Sequence, residues 1–147
     1  MSFIFPSASA ATLDALRQSL KTRSERFRGW LESGQIRQVV SAVEADPEAL
    51  ADMIPLVADA AAPMNVRIGT SAVLERYAGT PRLAALTGSI ARLTTHADAR
   101  VRADACYFLG LGLSPEAVPY LEACRNDPDA DVREIAAESL AAINSPQ

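Results

Sequence analysis

The chain has 147 residues, of which 49% are hydrophobic and only 5% aromatic, enough for one domain with a real core. Acids outnumber bases 18 to 14, so the field of the whole molecule does not draw it to nucleic acid. Two cysteines make no disulfide framework, no apolar run reaches the roughly 18 to 20 residues of a membrane span, and the start lacks a basic n-region, which together point to a soluble chain in a reducing cytoplasm.

In chain order, Phe3-Ile4-Phe5 precedes Pro6 and a small-residue linker, and either docks on the first helix or stays free. A long helix is predicted over 12–33, stopping at Gly34. Leu13, Leu20 and Phe27 fall seven apart on it, as do Leu16, Arg23 and Trp30, so this helix either caps a stack or self-associates. A short helix follows with Ile36, Val39, Val40 and Val43 on one side, and Asp46-Pro47-Glu48 then reads as a helix start. The next helix carries Leu50, Met53, Ile54 and Val57, with Pro55 kinking or shortening it. Ala61-Ala62-Pro63 connects to the following pair, whose helices Gly69 and Gly88 interrupt. Asp98 opens a helix with Val101, Ala105, Phe108 and Leu109 inward, ended by Gly110, Gly112 and Ser114-Pro115. Val118, Leu121 and Cys124 line its partner, Asn126 to Asp129 form a turn, and Val132, Ile135, Ala136, Leu140 and Ile143 line the last helix.

A period runs through these elements. Val-Arg occurs at Val66-Arg67, Val101-Arg102 and Val132-Arg133, spaced by 35 and 31 residues, and Leu74, Leu109 and Leu140 each fall seven after their arginine. Pro47, Pro81 and Pro115 recur every 34 residues, and Leu50, Leu83 and Val118 keep a similar spacing. Self-similarity at this period without strand signals predicts a stack of helix pairs. Asp98 and Asp129 each stand four before an arginine and suit either an N-cap or an i,i+4 pair; Pro63 removes that device from the earlier unit.

The runs 97–110, Ser114 to Glu122 and Asn126 to Leu140 resemble the HEAT repeat family, most closely its short bacterial variety named after phycobilisome lyase subunits. The phrase Asp-Pro-Asp-x-x-Val-Arg-x-x-Ala-Ala-x-x-Leu fits 127–140 at every position, while 62–93 matches less well, 35–59 faintly and 1–34 not at all. The resemblance implies an all-α, right-handed α/α superhelix, here of about eight helices with an N-terminal capping helix. It implies core valines, Asp and Arg residues that tie neighbouring turns, and second helices on the concave side. Residues 1–34 form the arm and cap; the repeats occupy about 35–60, 62–94 and 97–125, with a terminal helix at 128–144, all in one structural domain.

Signals for chemistry are sparse. His96 stands alone in a turn and reads as a turn residue. Cys106 and Cys124, 18 apart on two helices of one repeat, match neither a redox nor a zinc spacing and read as small apolar filler. Asp127, Asp129 and Asp131 alternate as a calcium loop begins, but Pro128 and the missing glycine mark them as turn formers and caps. Arg17, Arg23, Arg26 and Arg28 with Phe27 and Trp30 are the nearest approach to a nucleic-acid patch, yet they interleave with a packing seam. The stretch 12–37 holds six bases and three acids, whereas 114–138 holds seven acids and two bases, giving a basic start and an acidic end.

The expectation is a non-catalytic scaffold or adaptor, with no catalytic residue, metal or cofactor. It would hold a protein partner on the second helices, around 47–58, 81–93 and 115–125, through Arg82, Arg92, Glu116 and Tyr120. It would act as a monomer, or as a dimer through the N-terminal helix, and away from nucleic acid and membrane. The resemblance leaves one alternative, a subunit of a bilin-lyase-like or cofactor-attachment enzyme, and Cys106 and Cys124 leave another, an assembly adaptor of a redox enzyme.

Overall fold

Helix starts are written locally in this chain. Thr22, Asp46, Thr80, Asp98, Ser114 and Asp129 each accept a backbone N–H from the first turn that follows. Three of these caps, Asp46, Thr80 and Ser114, are followed at once by Pro47, Pro81 and Pro115, whose missing N–H has no partner to lose at a first helical position. The computed structural model describes residues 9–145, apart from the side chains of Asp14 and of 17–20, and no strand occurs among them.

The helices are α1 (Ala10–Leu20), α2 (Arg23–Glu32), α3 (Ile36–Ala45), α4 (Ile54–Val57), α5 (Met64–Glu75), α6 (Pro81–Ala84), α7 (Thr87–Ala91), α8 (Ala99–Gly112), α9 (Val118–Cys124) and α10 (Ala130–Asn144). Three 3-10 segments, Pro47–Met53, Arg92–Thr95 and Pro115–Ala117, complete the second element of each pair. Segmentation raises the number of pieces above the expected rods for a simple reason. Pro55 and Pro119 stand at the second position of α4 and α9, where each lacks the N–H that a continuous helix requires, so a 3-10 segment precedes and an α-helix restarts. The predicted helix over 12–33 is likewise two helices, broken at Lys21-Thr22, with the Thr22 hydroxyl accepting the Glu25 N–H.

Each second element packs on the first helix that follows it: 47–57 on α5, 81–95 on α8, and 115–124 on α10. The α2 helix seals the opposite end of the core, packing on α3, α4 and α5 with Phe27 and Leu31 buried. The described side chains of α1 are exposed. The repeat marks fall where the period puts them. Val66, Val101 and Val132 are all wholly buried, and Leu74, Leu109 and Leu140 lie in the same core.

Two glycines expected to interrupt helices do the opposite. Gly69 lies inside α5, where an added Cβ would meet Leu31 Cδ2 at 2.6 Å, so its bare backbone lets α2 come close. Gly110 lies inside α8, which continues to Gly112 and ends at Leu113 in the left-handed region (φ 54°).

Candidate partner-binding surface

The Val-Arg arginines tie successive units, and their geometry repeats. Arg102 grips Asp127 through Nε (2.9 Å) and Nη2 (3.1 Å), with Nη1 donating to the His96 and Ala97 carbonyls. Arg133 donates from Nη1 to the Asp127 and Pro128 carbonyls, again six and five residues back. The Arg102 guanidinium holds the Asp127 carboxyl below its ordinary range, helped by the Asp129 N–H. Asp98 and Asp129 prove to be N-caps rather than partners of these arginines.

Arg67 breaks the pattern. Its side chain makes no hydrogen bond or ion pair among the described residues, and its Nε is buried without a partner. Pro63 replaces the capping Asp ahead of α5 and accepts no bond through its side chain, a difference that was visible in the sequence. The loop before α5 is held instead from across the stack, where Arg100 Nη2 donates to the Ala60 (2.8 Å) and Asp59 (3.4 Å) carbonyls. Nothing in the local sequence marks Arg100 for that task.

The four residues expected to meet a partner divide into two environments. Arg82 turns inward: Nη2 donates to the carbonyls of Val43 (2.7 Å), Asp46 (3.1 Å) and Pro47 (3.2 Å), and the guanidinium lies 4.5 Å from the Tyr77 ring centroid. It therefore joins two repeats at the carboxyl end of α3. Arg92, Glu116 and Tyr120 are exposed, the Tyr120 side being 46% open to solvent. They lie on the last two second elements, which touch one another, 92–95 against α9 and α7 against 115–117.

The remaining candidates are structural. His96 Nδ1 accepts the Asp98 N–H at 3.0 Å, closing the turn before α8. Arg23 bridges Asp46 and Asp52 at 2.5 Å each, Arg28 pairs with Asp59 and with Glu32, and Arg26 Nη1 donates to the Lys21 carbonyl (3.2 Å), so these three cations of the basic seam are engaged within the fold. Phe27 is buried and stacks on Trp30. The Arg17 side chain and Phe3-Ile4-Phe5 lie outside what the structure describes. No helix among the described residues is long and apolar enough to cross a membrane.

Cys106 and Cys124 are brought together in the core, both buried. The hydrogen bond they share, then burial, pushes the Cys106 thiol up, and the same bond pulls Cys124 down, so burial of both sulfurs is what keeps reagents from them. Native protein is therefore expected to react with no equivalent of an aromatic disulfide reagent at neutral pH, and urea-unfolded protein with two. Rapid reaction of either thiol in the native state would contradict this packing.

The family model described as HEAT repeats matches residues 86–147, from the Leu86 cap of α7 through α10. Over this segment the chain is similar to HEAT repeats. The matched segment holds the Arg102–Asp127 tie, the Asp98 and Asp129 caps, and the exposed trio Arg92, Glu116 and Tyr120. No curated protein and no solved structure matches the chain. HEAT repeats generally mediate protein interactions, which is the broad function this segment indicates.

Proposed function

We propose that the protein is a non-catalytic adaptor that holds a partner protein across the second elements of its repeats. Tyr120 carries the reading: it is a large ring left 46% exposed on an ordered helix of the HEAT segment. Aromatic side chains in such positions supply contact area at low entropic cost and dominate binding energies when covered. Arg92 and Glu116 add exposed charges of both signs on the same two second elements, suited to a polar rim. Arg82 serves the same face by fixing how the first two repeats meet, through its three carbonyl bonds. Two free buried thiols suit a reducing cytoplasmic setting.

The test is affinity capture with the wild-type chain, then with Tyr120→Ala, Arg92→Glu and Glu116→Lys. These side chains are exposed, so each variant should melt like wild type. Tyr120→Ala is expected to weaken the captured partner by at least about thirtyfold, the usual effect of a central anchor worth about 2 kcal/mol. Unchanged capture by all three variants would place the interface elsewhere.

A further inference from the structure

The outer side of α5 carries an apolar stripe that the stack does not cover. Met64 and Ile68, one turn apart, are 63% and 62% exposed, and Ala72 continues the line. The stripe lines a groove of about 270 Å³ with Glu75 at its end and Asp104 of α8 on the facing wall. The α2 helix packs closely on α5 and α10 on α8, but α5 and α8 meet only sparsely, which leaves the groove open.

Arg67 lies in this groove, and its state is the second observation. Its counterparts Arg102 and Arg133 bond loop carbonyls or Asp127, whereas the Arg67 side chain makes no hydrogen bond and meets Asp104 only through a longer-range charge interaction. Asp104 on the facing wall bonds Arg100 (3.3 Å) rather than Arg67. A half-buried guanidinium that makes no hydrogen bond within the fold leaves its outer donors for an incoming carboxylate to fill. The planar fork of arginine takes such a group bidentately.

We infer that the α5–α8 groove docks an amphipathic helix of a partner protein, two apolar side chains covering Met64 and Ile68 and an Asp or Glu one turn further pairing with Arg67. The spacing on α5 is that of helix-in-groove recognition. The site lies on first helices, so it is distinct from the second-element surface that carries Tyr120.

The test uses the full chain with methyl-labelled Met and Ile, titrated with a capped, alanine-based helical peptide bearing two leucines one turn apart and a glutamate one turn further. A second peptide carries lysine in place of the glutamate. The glutamate peptide should shift the Met64 and Ile68 methyls and bind about tenfold tighter than the lysine peptide. Arg67→Gln should abolish that preference without lowering the melt, since the Arg67 side chain makes no hydrogen bond within the fold. Asp104→Asn should tighten the glutamate peptide by removing a facing negative charge, and Tyr120→Ala should leave it unaffected. Silent methyls, or equal affinity for both peptides, would overturn the proposal. So would self-association on sedimentation that is lost in Ile68→Glu, because a second copy of the chain would then be the occupant.

Discussion

Gly110→Ala is expected to be among the most destabilising single-methyl changes in this chain. A Cβ at 110 would sit 2.4 Å from Ser139 Oγ, 2.7 Å from its Cβ and 3.0 Å from its backbone Cα. A side-chain tip alone could swing away, but the Cα means that α10 itself must move. Moving it breaks the buried Ser139 hydroxyl bond to the Cys106 carbonyl (2.7 Å) and separates the most intimately packed helix pair in the fold. Overpacking costs of about 1–3 kcal/mol and a lost buried hydrogen bond of about 1 kcal/mol put the total near 3 kcal/mol. Gly88→Ala is the control, because a Cβ there meets nothing within 4 Å on an exposed face of α7. It should be neutral or stabilise by up to about 1 kcal/mol through helix propensity. Urea midpoints decide the matter. Equal midpoints for Gly110→Ala and wild type would mean that α8 and α10 do not cross this closely.

The second large effect is on acid stability. The Asp46, Asp59, Asp98 and Asp127 carboxyls all lie below their ordinary range. Arg23 is the main cause at Asp46, Arg28 at Asp59, the Val101 N–H at Asp98 and Arg102 at Asp127. A carboxyl whose folded value is depressed adds stability that is complete above the unfolded value, about 4, and is lost as pH falls through the folded one. Stability should therefore drop steeply below about pH 4. Asp127→Asn should destabilise at neutral pH and flatten that acid limb, because Arg102 keeps its position but loses the charge it grips. Asp104 has the opposite sign. Burial raises it, so the folded chain binds that proton more tightly than the unfolded chain, and ionisation above pH 4 costs stability. Asp104→Asn should thus be neutral or stabilising at pH 7. Urea unfolding of the two variants across pH 2 to 7 would check both signs; parallel curves for Asp127→Asn and wild type would remove Asp127 from the account.

These expectations also separate what is local from what is not. The caps at Asp46, Asp98 and Asp129, the prolines that open each second element, and the core positions of Val66, Val101 and Val132 were legible in the sequence. Each depends on neighbours within a turn or on a fixed period. The break at Lys21-Thr22 was also local, since Thr22 and Glu25 form the start signal of a helix, but the heptad seam running through it masked that signal. Of the expected surface, Arg92, Glu116 and Tyr120 stand exposed where the helical period leaves them.

Other features exist only once the units are stacked. Gly110 reads as a terminator along the chain and becomes a close-approach residue because Ser139, a full repeat later, presses on it. Arg82 reads as a surface cation until the carboxyl end of α3 presents three carbonyls to it. Arg67, Arg102 and Arg133 share one motif, yet the Arg67 side chain alone makes no hydrogen bond, and Arg100 from α8 holds the loop before α5 instead. Period, caps and core residues follow from short-range sterics and hydrogen bonding, which the sequence carries by itself. Which guanidinium finds a carbonyl, and which glycine admits a neighbouring helix, depends on groups more than 25 residues apart meeting at ångström distances, and that only the tertiary packing decides.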